Sequence, residues 1–284
     1  MSRNNEERLG IIDEGQAPPI SATTSGNNSP LQFVTPTEFV DLPTQGKFYP
    51  EGHPLFNKDT VEIRYMTAKD EDILTSKTLL KKGIAVDRML ANIMIDKNIK
   101  IDDLFVGDKN AIIVAARISG YGPDYKTSVT CPACGASTEN EFDLNAVLEK
   151  GTATTYEDIE IAKDGTFAIM LPKTQVEAHC RLVTGVDEKR LEAVAEKRKK
   201  HKLPENTLTE LIKSLIVSLN GETDRGVVEK FIESMPALDS KYLRAVYNKV
   251  APNVDMKHLY SCESCGTDTT LTIPFSVSFF WPNE

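Results

Sequence analysis

Two cysteine pairs, Cys131-Pro132-Ala133-Cys134-Gly135 and Cys262-Glu263-Ser264-Cys265-Gly266, constrain this chain more than any other feature. Two intervening residues let both sulfurs of a pair face one centre, and the following glycine can take the positive φ of a tight knuckle. A structural zinc ion needs four thiolates in a tetrahedron, so each pair supplies half a site. Shifting the first motif by 131 positions lays Cys131 on Cys262, Cys134 on Cys265, Phe142 on Ile273 and Leu144 on Phe275. After each glycine comes a polar turn and then a short stretch with apolar residues at alternate positions, the signature of a strand. The spacing therefore predicts a split zinc ribbon: two β-hairpin knuckles clamped on one Zn2+ by Cys131, Cys134, Cys262 and Cys265. The rival reading is two independent redox dithiols, but a redox CxxC opens a helix, and here turn and strand follow. Thiolates favour zinc over harder metals, with iron the other soft-ligand candidate.

Four thiolates close the coordination shell, so the expected role of the ion is structural. His258, four residues before Cys262, reads as a polar residue near a strand, and unpaired Cys180 in "VEAHCRLV" as a small core residue. No residues are spaced as a nucleophile with its base, and the charged run at 69–72 reads as the first turn of a helix capped by Thr67. Neither a catalytic residue nor a small-molecule substrate is expected. A formal net charge of -9 disfavours broad attraction to nucleic acid. The basic run Lys197 to Lys202 is the exception, and it suits the last turn of a helix or a contact with an acidic partner surface. No stretch approaches the ~20 apolar residues of a membrane span, and "MSRNNEERLG" lacks the pattern of a secretory signal, so the chain reads as cytosolic.

The predicted fold class is α+β: mainly helical modules joined by the split four-cysteine ribbon with short β-hairpins. Residues 1–33, rich in Asn, Ser, Thr, Pro and Gly, read as a disordered tail whose Ile11-Ile12 could dock on a partner. Residues 34–125 form an N-terminal module, with a strand at "TVEIRYM", a helix from Thr67 to Gly83, a second at about 86–96 and a third at 108–120. Residues 126–144 and 256–284 make the ribbon. The insertion at 145–255 holds a hairpin turning at Lys163-Asp164-Gly165, then helices at about 174–184, 187–202, 207–219, 224–235 and 239–250.

"LPTQGKFYPEGHPL" followed by "VEIRYMTAKDEDILTSKTLLKKGIAVDRMLANIMIDK" closely resembles the baseplate proteins of T4-like contractile-tailed bacteriophages, whose members belong to the central hub. The match is densest over about 40–125 and extends through both knuckles. The resemblance implies a non-enzymatic virion or virion-assembly protein, made in the bacterial cytoplasm, whose partners are other baseplate and tail proteins. Two alternatives follow: an assembly chaperone absent from the finished virion, and a zinc-ribbon protein that binds nucleic acid.

Overall fold

A computed structural model describes residues 35–150, 159–273 and 277–280. The predicted tail, with its Ile11-Ile12 element and Phe33-Val34, lies outside them. The chain opens with the antiparallel pair β1 (Thr37–Asp41) and β2 (Thr60–Arg64), in register Phe39 to Glu62. Alternation turns Val40, Val61 and Ile63 inward. Then come α1 (Ala68–Thr75), α2 (Lys77–Lys81), α3 (Ala85–Ile93), a 3-10 turn at Ile101–Asp103, and α4 (Val106–Tyr121). The middle of α4, Ala111 to Ala116, is buried on every side and forms the axis of the core. A hairpin of β3 (Asp124–Thr130) and β4 (Ser137–Asp143) follows, then α5 (Asn145–Lys150).

The second half repeats this order. β5 (Phe167–Met170) and β6 (Glu177–Cys180) form an antiparallel pair, followed by α6 (Gly185–Lys200), α7 (Thr207–Leu215), β7 (Ile216–Leu219), α8 (Arg225–Ser234) and α9 (Ala237–Val250). A second hairpin, β8 (Lys257–Ser261) with β9 (Asp268–Thr272), closes the series. β7 joins the edge of β6, where the first half has a single bridge from Ile63 to Met94.

Two buried devices recur in both halves. The first is a strand-to-helix corner of the form Arg-x-x-Thr-x-x-Asp. Arg64 donates to both oxygens of Asp70 at 2.7 and 3.0 Å, while the N–H and hydroxyl of Thr67 donate to Asp70 Oδ2, each at 2.8 Å. Arg181 donates to Asp187 at 2.7 and 2.8 Å, and Thr184 donates at 3.1 and 3.0 Å. Each is a capping box that also neutralises its buried aspartate.

The second device joins a Leu-Pro turn to a later helix. Thr44 donates its N–H and hydroxyl to Asp108, and Thr174 donates the same two groups to Asp239. Each aspartate is the third residue of its helix, α4 or α9, where the helix dipole favours negative charge. The next residues, Gln45 and Gln175, share a left-handed backbone, φ 51° and 54°.

Several predicted elements need correction. The helix expected at 174–184 is strand β6: Val176, Ala178, Cys180 and Leu182 alternate, and Thr174 is held by Asp239 instead of capping a helix. The helix expected at 207–219 ends at Leu215, and its last four residues form β7. A short apolar run such as "SLIVSL" does not distinguish strand from helix by period. The helix from Thr67 to Gly83 breaks at Ser76, where the Thr75 hydroxyl bonds back to the Glu71 carbonyl and competes with the ladder. In the hairpin expected around Lys163-Asp164-Gly165 the turn forms, but Ile161 contributes only an isolated bridge to Phe167, which instead pairs with β6.

The halves share one hydrophobic core. Leu104–Val106 pairs with Val183–Gly185 through Val106 N–H to Val183 O (3.1 Å) and Gly185 N–H to Leu104 O (3.0 Å). Lys189 bridges Asp87 (2.7 Å) and Asp102 (2.5 Å) beside this seam. The first half's long β1–β2 loop acts as a strap. Phe48 packs edge-on against Phe167 at 6.2 Å, and its carbonyl lies where a Cβ on Gly165 would stand. Tyr49 donates to Asp108 Oδ2 (2.8 Å) and stacks on His53 (4.4 Å).

Asp70→Ala leaves the Arg64 guanidinium and two Thr67 donors without their acceptor, and Asp187→Ala does the same to Arg181 and Thr184. Each substitution is expected to cost about 3 kcal/mol in denaturant unfolding, whereas exposed Asp72→Ala stays within about 0.5 kcal/mol. A second prediction concerns pH. Burial pushes Asp108 up to about 6, against the hydrogen bonds from Thr44 and Tyr49. A carboxyl whose folded pKa is raised contributes most below its unfolded value of about 3.9, and that contribution is lost as pH rises through about 6. Relative to Asp108→Asn, the wild-type protein should gain about 2 kcal/mol between pH 7 and pH 4. Asp70, whose hydrogen bonds from Arg64, Thr67 and Asn92 outweigh desolvation and hold it at about 2, acts oppositely in stronger acid in both proteins and cancels from the difference.

Candidate metal centre

Both knuckles are built by the same backbone bonds. In the first, Cys131 N–H donates to Ala136 O (2.8 Å) and Gly135 N–H to Cys131 O (2.9 Å). In the second, Cys262 N–H donates to Thr267 O (3.0 Å) and Gly266 N–H to Cys262 O (2.8 Å). Gly135 and Gly266 have φ of 74° and 69°, a conformation that strains residues with a Cβ. The first cysteine of each pair is buried and the second exposed.

The four sulfurs meet. Cys131 Sγ lies 3.8 Å from Cys265 Sγ and Cys134 Sγ lies 3.7 Å from Cys262 Sγ, so each pair faces the other in crossed order. All four lie within 4.8 Å of one another. A tetrahedral ion with metal–sulfur bonds of about 2.3 Å requires sulfurs about 3.8 Å apart. The cluster therefore has the dimensions of a four-thiolate metal site. It is too open for disulfides, whose sulfurs stand about 2.05 Å apart.

The local electrostatics also suit a cation. Burial opposes the Cys262 thiolate, but backbone N–H groups of Cys265 and Ser264 and the Tyr260 hydroxyl bring its pKa to about 6. The Thr267 hydroxyl, 3.2 Å away, lowers Cys265. Cys134 is favoured as a thiolate by the Ala136 N–H, yet the neighbouring sulfurs push it up to about 12. Cys262 and Cys265 are thus held towards the thiolate, while repulsion from the neighbouring sulfurs holds Cys134 towards the thiol. A divalent cation removes that repulsion.

The hairpins carrying the knuckles are tied to each other and to the core. Thr138 and Tyr260 hydroxyls meet across them at 2.8 Å. Phe142 and Ile273, paired by the 131-residue shift, are both buried, and Leu144 is buried too; Phe275 lies outside the described residues. The His258 ring packs edge-on against Phe142 at 4.9 Å, so it is a packing residue. Cys180 is fully buried in the sheet, and desolvation pushes its thiol up to about 12. Sequence reasoning missed Arg117, which is fully buried and donates to the carbonyls of Phe279 (2.8 Å), Gly122 (2.7 Å) and Asp124 (3.1 Å). It fastens the C-terminal stretch to the base of the first hairpin. Its signal was a lone charge inside the apolar run "AIIVAARISG".

Fold and centre together define a mixed α+β protein of two similarly built halves, whose cysteine hairpins converge on one four-sulfur cluster. The chain belongs to the family of T4 bacteriophage base plate proteins, which it matches over residues 35–281. No curated protein and no solved structure matches it. Among the described residues no helix is long and apolar enough to cross a membrane.

Proposed function

We propose that this protein is a non-enzymatic structural or assembly component of the central hub of the phage baseplate, holding other tail proteins in fixed geometry. The observation that carries the reading is family membership across nearly the whole described chain. The chemistry of the interior agrees with it. The aspartates buried on folding, Asp70, Asp108, Asp187 and Asp239, are each engaged by hydrogen bonds from corners and loops of the chain itself. In this reading the protein is made in the host cytoplasm and acts in the tail baseplate.

The cysteine cluster is, in the same reading, a structural zinc site formed by Cys131, Cys134, Cys262 and Cys265, and residues 126–144 with 256–284 are a split zinc ribbon. The ion would supply cross-linking, not reactivity, because four thiolates leave no position for water. It would hold two hairpins with few buried side chains of their own and close the loop between them. Metal analysis of the purified chain is expected to find one zinc per chain. Cys134→Ser and Cys265→Ser, both at exposed positions, should each lose it and lower the melting temperature by at least ~5 °C. Retention of a full equivalent of zinc by a variant lacking either knuckle would refute the shared site.

The placement in the virion has its own test. Quantitative mass spectrometry of purified particles should recover the chain in fixed ratio to other baseplate proteins. Its absence from particles, with abundant protein in the infected cell, would make it an assembly chaperone instead.

A further inference from the structure

The repeated architecture exposes one feature that the interior does not use. In each half, the helix begun by the Arg-x-x-Thr-x-x-Asp corner leads to a turn and then to a nine-residue helix, α3 or α7, returning to the sheet. Both connections carry clustered lysines: Lys77 and Lys81 on α2 with Lys82 at its end in the first half, and Lys197, Lys199 and Lys200 on the last turn of α6 with Lys202 beyond it in the second. All seven are exposed. Among the described residues none forms an ion pair or a side-chain hydrogen bond, although other lysines, such as Lys109, Lys189 and Lys213, do. No acidic residue falls within 77–83 or 197–204, in a chain whose acids outnumber its bases, 42 to 33.

Helix-dipole complementarity does not account for the pattern. It suits Lys81 and Lys197 to Lys200, in the last turns of α2 and α6. Lys77, however, opens α2, where the dipole disfavours a cation, and Lys202 lies past the C-cap His201 of α6. Nor does internal support account for it, since the residues of α6 beyond Arg190 are exposed or half-buried and its apolar stripe is weak. A helix end polar all round is suited to bridging to another molecule.

We propose that these two tips, at matching places in the two halves, are a pair of docking points for an acidic protein surface. Nucleic acid fits them less well. Neither tip carries a Phe, Tyr or Trp for stacking on bases, His201 being the single ring, and the one guanidinium, Arg198, already donates to Pro204 O at 2.7 Å. Lysine ammonium groups are compact point charges that suit dispersed carboxylates. Two tips contacted together by one partner hold it with a gain in avidity that neither has alone.

The test uses the purified full chain, a fluorescein-labelled polyglutamate peptide and a labelled DNA duplex of matched charge, read by anisotropy at low and physiological ionic strength. Three variants are compared: K77E/K81E/K82E, K197E/K199E/K200E/K202E, and both combined. Polyglutamate should bind in a salt-sensitive manner, each single-tip variant should weaken it at least ~10-fold, and the combined variant should abolish it. Circular dichroism and bound-metal content, unchanged in all three, would show that folding is intact. The proposal is overturned if polyglutamate does not bind, if charge reversal leaves binding unaltered, or if the duplex binds more tightly than polyglutamate through the same lysines. Recovery from virions is a separate measurement, so the baseplate reading can fail without deciding this one.

Discussion

A carboxylate removed from water must be supplied with donors or it destabilises whatever buries it. Four aspartates impose that demand here, and the architecture follows from how it is met. Asp70 and Asp187 receive an arginine from the end of a strand and a threonine from the corner, which fixes the angle at which each helix leaves its sheet. Asp108 and Asp239 receive only main-chain and hydroxyl donors, from loops 59 to 66 residues earlier in the chain. Each therefore binds a late helix to an early hairpin. With corner and helix both pinned, the hairpin that follows each helix has a fixed point of departure.

The joint between the halves combines three kinds of interaction with different reach. Apolar packing at Phe48, Phe167 and the α4 axis supplies the bulk of the cohesion. The Leu104–Val106 pairing with Val183–Gly185, flanked by Lys189 and its two carboxylates, gives it direction. The cysteine hairpins meet at a further point, through the Thr138 to Tyr260 contact and the cluster of four sulfurs. The long β1–β2 loop, which contains the "GKFYPEG" stretch, places Phe48 and Tyr49 in the interior. Phe48 joins the halves at Phe167 and Gly165, Tyr49 is held within the first half by Asp108 and Phe105, and neither is itself a surface for partners.

The reading of the chain from its residues succeeded where the signal was local. The capping role of Thr67, the ends of α8 and α9 and the tight turn at each CxxCG depend on neighbours within a few positions, and propensity and spacing report such neighbours well. It failed at β6 and β7, where runs of about four residues are too short for period to separate strand from helix. It failed too at Ser76, whose extended backbone (ψ 109°) interrupts a helix that the apolar pattern carried through. The recurrence of the two cysteine motifs was visible by shifting the sequence against itself. The recurrence of the corners was hidden, because loops of different length put Arg64 and Arg181, 117 positions apart, out of step with the cysteines, 131 apart.

The amino-acid sequence by itself determined the chemistry available: four soft ligands in two matched pairs, an acidic chain with lysines gathered at two turns, and resemblance to a phage baseplate family. Those are properties of residue type and near spacing, which the chain carries whether folded or not. Only the tertiary structure decided that the four sulfurs lie within 4.8 Å of one another, that Asp108 and Asp239 serve loops distant in sequence, and that Arg117 holds the carbonyl of Phe279. These depend on closure of loops of more than a hundred residues, or on desolvation by neighbours far along the chain. No local pattern encodes either, because both arise only when the apolar core has brought the segments together.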